Sequence, residues 1–381
     1  MKGGRRLKKV KSKRSLLCLF GGRSREYEVS LMSASSMIAA LDRELYDVHT
    51  VGITKDGKWY LYSGDLASIA DGSWADKSSF LADCLLSPSY GERVLFVRRP
   101  GKEDLFERLS VELVFPMVHG AFSEDGTLQG LLSMTGIPYV GSGCTASAVA
   151  MDKDLTKQIV TRNGIPSASF LCLSAEELKT RQEDALARAE SVSGYPLFVK
   201  PANGGSSIGA SRVWNRAELL GALEEAAEVD YKILVEECIR GREVECAVLG
   251  NSDPETSGVG EIEAATGFYD YESKYLSGTS RLYIPARIRP ETAQIVRDYA
   301  KRIFLMLGCR GLSRVDFFVL ENADGTESVL FNEINALPGF TAISMYPKLW
   351  AASGIEMTEL LNRLISLAGE NDQIRPLRSN N

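Results

Sequence analysis

The alternation of short apolar runs with helical stretches constrains this chain most. Residues 16–20 form an apolar run that reads as a buried strand. Gly21-Gly22 then turns the chain into a helical stretch over about 30–41, and residues 48–53 supply a second strand. Strand, helix and strand in this order open an α/β architecture in which helices cover a sheet. Runs at 94–97 and 113–118 extend the sheet around an irregular Ser-, Asp- and Gly-rich segment at 63–90. A turn-rich stretch, Pro138-Tyr-Val-Gly-Ser-Gly143, precedes a helical run over 145–163, which puts a boundary near 142. Further strands are expected at 197–200, 210–213 and 232–236, with helices near 175–193 and 216–228. Beyond Arg242 the pattern predicts strands at 243–249, 314–320 and 329–335 and helices at 290–307 and 357–369. The expected units are 1–141, which includes a basic tail over 1–14, then 142–240 and 241–381. Three units suit 381 residues at about 100–200 per domain.

Charge and composition narrow the function. Forty-four Lys and Arg against 50 Asp and Glu give a net charge of −6, without the basic excess of a general nucleic-acid binder. The first 14 residues carry eight Lys or Arg and no acid, so the remaining body is more acidic than the whole. The apolar run after that tail is too short for a secretory leader, and no window approaches the roughly 18 apolar residues of a membrane helix. We read a cytoplasmic chain with no membrane partner. Seven scattered cysteines, no C-x-x-C pair and two histidines argue against a zinc site or a disulfide framework.

Several segments carry residues suited to chemistry. In Arg314-Val-Asp316 and Glu333-Ile-Asn335 the polar residues stand two apart, so each pair shares one face of its strand. Asp316, Glu333 and Asn335 offer the oxygen ligands that magnesium takes alongside substrate phosphates. From spacing alone, a solvent-facing strand is an equal alternative. Leu-Pro-Gly-Phe-Thr follows Ala336, and a glycine turn there would aim backbone N–H groups at the same site. Lys200 opens a glycine-rich turn running to Gly209, which could cradle phosphate or be an ordinary hairpin turn, and which lacks the G-x-x-x-x-G-K-[ST] pattern of a P-loop. Lys153 starts a helix, where cation and helix terminus could face one anion, though taken alone such a lysine is more often a solvated surface residue. Glu236, Glu237 and Glu243 end one strand and begin the next, where carboxylates can accept from an adenine amine or ribose hydroxyls or form a solvated edge. Glu28 sits between the first strand and helix, where α/β sheets place ligands, and could hold an ammonium or simply favour the helix start. His119 follows another strand.

Together these residues resemble the D-alanine–D-alanine ligase family of the ATP-grasp superfamily. The similarity runs from about 16 to 364. It rests on Gly-Gly-x-Ser-x-Glu-x-Glu-Val-Ser at 21, His-Gly with Glu-Asp-Gly-x-x-Gln-Gly from 119, Met-Asp-Lys at 151, Phe-Tyr-Asp-Tyr-Glu-x-Lys-Tyr at 268 and Asn-Glu-x-Asn-x-x-Pro-Gly-Phe-Thr at 332. The resemblance implies a three-domain ATP-grasp fold of α/β (α+β) class, whose first domain is a doubly wound parallel sheet. It implies ATP between the second and third units, near Lys153, Lys200, Ser206, Glu236, Glu237 and Glu243, with Lys274 beside its phosphates. Magnesium, as two ions with manganese as a substitute, would sit on Asp316, Glu333 and Asn335. Glu28, Ser206 and Tyr275 would form the set that holds the first D-alanine ammonium. Arg314 and the Gly339 N–H would stabilise the oxyanion, His119 would serve the first substrate site, and Ser344 would bind the second carboxylate. Residues 271–284 would close over the reactants and exclude water.

The implied activity is ATP-dependent formation of D-alanyl-D-alanine through an acyl phosphate, for peptidoglycan precursors, by a homodimer. Departures are Ala336 where the family usually has Thr, Glu237 where some members have Lys, and a basic tail with no counterpart. The first unit also resembles ligases of glycopeptide-resistant bacteria that join D-alanine to D-serine or D-lactate. Those commonly carry Arg where Met345 stands, which favours D-alanine here. A nucleotide-binding protein with an inactive grasp fold would lack a metal ligand or lysine, and every expected one is present.

Overall fold

The computed structural model describes residues 12–102, 105–263 and 281–370. Three sheets organise them. The first has the order β6-β5-β4-β3-β2-β1-β7, with β1 at Arg14–Gly21, β2 at Tyr46–Ile53, β3 at Trp59–Tyr62, β4 at Leu81–Leu86, β5 at Val94–Arg98, β6 at Glu107–Ser110 and β7 at Leu113–Val118. Strands β2, β1 and β7 are parallel, as the helix Tyr27–Ala40 between β1 and β2 requires. The expected parallel sheet stops there, because β3 to β6 continue as antiparallel neighbours. Three of these, β3, β4 and β6, fall where no strand was expected: β3 and β6 are only four residues long, and Asp83 interrupts the apolar residues of β4, so none carries a long apolar run.

The second sheet has the order β10-β9-β11-β8, with β8 at Phe170–Ser174, β9 at Leu197–Pro201, β10 at Ser211–Val213 and β11 at Lys232–Glu237. The third has the order β14-β13-β12-β15-β16, with β12 at Arg242–Gly250, β13 at Glu255–Glu263, β14 at Arg281–Tyr283, β15 at Gly311–Glu321 and β16 at Glu327–Asn335. The two antiparallel sheets flank a cleft.

The helix expected over 145–163 is broken. One helix ends at Met151 and the next begins at Lys153, because Asp152 takes an extended backbone and caps the second helix by accepting from the Leu155 N–H at 3.0 Å. Asp152 also makes an isolated bridge to Asn203 beside β9. The segment expected as one helix over 175–193 likewise divides at Arg181.

Packing explains why the cleft lies where it does. On one face of the third sheet, Val244, Cys246, Val248, Val315 and Phe317 pack against the helix Pro290–Met306. On the opposite face, Ala247, Leu249 and Leu312 join the core of the first sheet, together with the helices Met345–Ala352 and Met357–Gly369. Farther along that same face, polar side chains replace apolar ones and the sheet opens. The C-terminal helix thus belongs spatially to the N-terminal sheet, its Leu360, Leu361, Leu364 and Ile365 wholly buried there. Leu364→Ala is expected to cost about 2–5 kcal/mol through lost burial and the cavity left behind, and a lowered thermal midpoint of the full chain checks it.

Candidate active site

Two adjoining cavities of about 1050 and 1170 Å³, both open to solvent, occupy the cleft and share Lys153, Ser206, Glu245, Arg314 and Glu333. The first also takes His119, Asn335, Gly339 and Ser344. The second takes Lys200, Glu236, Glu237, Glu243 and Asp316. Every described candidate except Glu28 therefore lines one of these walls. Lys274 and Tyr275, with residues 271–280 of the expected covering segment, lie outside the described residues.

The acidic wall comes from strand register. Asp316 on β15 stands opposite Glu333 on β16, and Arg314 stands opposite Asn335. The register slips after Asp316, where Phe317 pairs with Phe331, so Asn332 is the extra residue of a β-bulge. The bulge lets Phe331 face the core while Glu333 and Asn335 face the cleft. Among the described residues no three Asp, Glu, His or Cys side chains converge as a ready-made metal cage. Two carboxylates and an amide on one face nevertheless fit magnesium, which keeps waters and shares its shell with substrate phosphates.

Cations interleave with these acids. The Arg314 guanidinium grips Asp316 through two hydrogen bonds, Nε to Oδ1 at 2.8 Å and Nη2 to Oδ2 at 2.7 Å. Burial opposes the Arg314 charge, but Asp316 and Glu245 outweigh it and hold the guanidinium firmly protonated. Lys153 donates from Nζ to the Gly204 carbonyl and lies 3.4 Å from Glu333 Oε2. Its helix start is fixed by Lys232, which sits 2.9 Å from Asp152 and 2.7 Å from Asp154. Lys200 and the wholly buried Lys157 share Glu236, at 2.7 and 2.8 Å. Burial pushes the Glu236 carboxyl up, yet the two ammonium groups prevail and its pKa is lowered. Lys157 shifts down because burial exceeds what Glu236 returns. Lys157 was not foreseen: its place one helical turn after Lys153 was the available signal.

Glu28 requires correction. Its side chain is 55% exposed and pairs with Lys55 at 2.6 Å, outside both cavities. On the helix Tyr27–Ala40 the inner face is taken by Val29, Ser30 and Ser33, which puts Glu28 on the outer side. Glu26, one residue before the helix, faces the cavity instead and accepts from the Ser206 hydroxyl. Two glycines make room for it, since a Cβ at Gly120 or Gly205 would lie 2.7 Å from Glu26 Oε2. Ser206 and Ser207 have φ of 51° and 58°, so the loop that presents Ser206 stores strain of the kind found at functional sites.

His119 is buried, with Nδ1 3.7 Å from Glu124 and Nε2 3.2 Å from the Ser33 hydroxyl. Ser33 also accepts from the Phe340 N–H at 3.2 Å, which ties this helix to the turn containing Gly339. A Cβ on Gly339 would lie 3.1 Å from Ser344 Oγ and 3.3 Å from Ser33 Oγ. Ser344 itself accepts from the Thr341 N–H at 3.0 Å and precedes the helix Met345–Ala352, whose N-terminus favours an anion.

Two antiparallel sheets that close on a lysine-bearing, acid-lined cleft, with a glycine-rich loop between them, define an ATP-grasp ligase fold. The comparisons agree. The D-ala D-ala ligase N-terminus model matches residues 15–142 and the D-ala D-ala ligase C-terminus model residues 159–366. D-alanine–D-alanine ligase of Ruminiclostridium cellulolyticum is 47% identical over 368 residues, covering 94% of this chain and 96% of the relative. That of Clostridium novyi is 45% identical over 361 residues, covering 94% and 99%. Among solved structures, the VanG D-Ala:D-Ser ligase from Enterococcus faecalis superposes with a TM-score of 0.83 at 37% identity, covering 94% of this chain and 100% of that one. The D-alanine–D-alanine ligase from Coxiella burnetii gives 0.79 at 34%, covering 94% of each. The chain belongs to the D-alanine–D-alanine ligase family.

The His119 environment yields a direct test. Burial opposes protonation of the ring, but contact with Glu124 outweighs it, aided by Glu26 and the Leu337 carbonyl, and the His119 pKa is raised. The associated stabilisation is full below the unfolded-state value near 6.5 and is lost as pH rises through the folded value. Glu124→Gln removes the partner that contributes most against burial, so the His119 pKa is expected to fall. With two histidines in the chain, an NMR titration of the ring resonances reads the shift directly.

Proposed function

We propose that this chain joins two D-alanines into D-alanyl-D-alanine with conversion of ATP to ADP and phosphate, supplying a peptidoglycan precursor. The observation that carries the reading is the in-register pair Asp316 and Glu333 in a cleft shared with Lys153, Ser206 and Arg314. In this reading the nucleotide lies in the second cavity, its phosphates directed toward Lys153 and Lys200 and its base and ribose toward Glu237 and Glu243. Asp316, Glu333 and Asn335 would hold magnesium, which when bound neutralises charge on the phosphates. Two ions, manganese as a substitute, a cytoplasmic setting and a homodimer belong to the same reading and rest on the family.

Glu26, in the place first given to Glu28, holds the ammonium of the first D-alanine, with Ser206 orienting the carboxylate of Glu26. His119, charged through Glu124, faces the substrate's own carboxylate. That carboxylate attacks the γ-phosphorus, the bond to the ADP oxygen breaks, and an acyl phosphate forms. The amine of the second D-alanine, its carboxylate directed to Ser344, then attacks the acyl carbon; a proton leaves the nitrogen and phosphate departs. Arg314 and the Gly339 N–H stabilise the oxyanion between these events, a contribution of about 3–4 kcal/mol for one well-aimed donor. Lys274 and Tyr275 complete the nucleotide and ammonium sets in this reading.

The second-substrate end of the first cavity carries Ile343 and Met345, apolar side chains with no hydrogen-bonding group for a hydroxymethyl. This favours D-alanine over the D-serine of the Enterococcus faecalis D-Ala:D-Ser ligase.

Release of ADP should require D-alanine and magnesium. D-serine or D-lactate paired with D-alanine should support much less mixed product, and ADP release indifferent to D-amino acids would end the ligase reading. Glu26→Gln is expected to raise the KM for D-alanine about tenfold or more, as loss of a charged hydrogen bond implies, with Glu28→Gln within about twofold of wild type. Equal effects of the two substitutions in steady-state assays would return the ammonium to an open question. Glu333→Gln is expected to abolish turnover while leaving the circular dichroism spectrum unchanged; normal turnover would remove the metal assignment.

A further inference from the structure

Glu245 on β12 has no part in the reaction as described above, yet its side chain is buried, only 7% exposed, at the centre of the cleft. In the antiparallel register it stands opposite Asp316, which in turn stands opposite Glu333. Three carboxylates thus form a row across β12, β15 and β16. Directly opposed side chains start about 4.5–5.5 Å apart at Cβ, and like charges at that spacing repel. The row persists only with cations set among its members.

Arg314 is one of those cations, and it is shared. Its Nε lies 3.0 Å from Glu245 Oε2 and 2.8 Å from Asp316 Oδ1, while Nη2 lies 2.7 Å from Asp316 Oδ2. Nε carries one hydrogen, so the two carboxylates compete for it. One of them, Asp316, is the side chain assigned to magnesium, and a carboxylate that turns to a cation surrenders its grip on the guanidinium. A buried arginine with no carboxylate beside it is strongly disfavoured.

We propose that Glu245 is a positioning residue: it retains Arg314 in the cleft when Asp316 turns to the metal ion, and so lets the same arginine serve the oxyanion. This inference rests on the metal reading of Asp316. Without the Glu245 charge, Arg314 stays on Asp316, the metal ion must displace it, and the guanidinium that is displaced has no fixed line toward the reacting group.

Glu245→Gln keeps the side chain's shape and an acceptor oxygen but removes the charge. In the full chain with ADP, using Mn2+ as the probe and electron paramagnetic resonance to count free ion, the dissociation constant for Mn2+ is expected to rise about tenfold. At saturating metal, kcat is expected to stay about tenfold below wild type, with the ATP KM within about twofold. Unchanged Mn2+ binding overturns the proposal. So does recovery of wild-type kcat at saturating metal, which would leave Glu245 as a nearby negative charge and nothing more. Asp316→Asn separates the two levels: if it too leaves Mn2+ binding unchanged, the metal reading fails, whereas weakened binding there and none in Glu245→Gln defeats the Glu245 inference alone. Should Glu245→Gln not fold, a crystal structure of the wild-type chain with magnesium and ADP decides. Arg314 Nε on Glu245 and released from Asp316 supports the proposal, and Arg314 still gripping Asp316 refutes it.

Discussion

The register of three antiparallel strands governs this molecule. Pairing of β12 with β15 and of β15 with β16 brings Glu245, Asp316 and Glu333 abreast, and one bulge at Asn332 keeps Glu333 on the cleft side while Phe331 stays in the core. A slip by one residue would send the acids into the apolar layer formed by Val244, Cys246 and Phe317 and bring that layer into water. The same face of the same sheet changes character along its length: Ala247, Leu249 and Leu312 bind it to the first sheet, and two residues farther on the acids begin. Fold and site are therefore set by one pattern of alternation.

Around that row, the structure spends charged groups to hold other charged groups. Lys232 secures Asp152 and Asp154 on either side of Lys153, and Lys157 secures Glu236, which secures Lys200. Paired this way, buried ions avoid the large penalty of isolation, although each pair gains little net stability over apolar packing. What the pairs supply is placement: two lysines from different elements arrive at one cleft with their alkyl stems fixed. The hydroxyl of Ser33 does the same for neutral groups, joining His119 to the turn that carries Gly339.

Much of this was legible in the sequence, and the failures have physical causes. Strands β1 and β7 announced themselves as apolar runs, and β15 and β16 as apolar stretches carrying polar residues two apart at Arg314 and Asp316 and at Glu333 and Asn335. Strands β3, β4 and β6 did not, since short, partly exposed antiparallel strands carry mixed residues. The break at Asp152 was hidden because Asp is a tolerable helix residue, and only its capping of Leu155 and its bridge to Asn203 reveal the turn. The exchange of Glu28 for Glu26 came from two acids two residues apart at a helix start. Composition cannot rank them, whereas the helical period, once the first helical residue is known, separates inner from outer face. Glu245 escaped notice because an acid in a largely apolar strand has meaning only through its neighbours on other strands.

The central claim is that this row of acids and cations activates a carboxylate by phosphorylating it. Oxygen transfer tests that claim most directly. With D-alanine labelled by 18O in its carboxylate, mass spectrometry of the released phosphate should find one 18O per phosphate, carried over when the acyl phosphate gives way to the amine. Phosphate free of label, or carrying oxygen from solvent water instead, would mean that the carboxylate never bonded to phosphorus and that the cleft performs some other reaction.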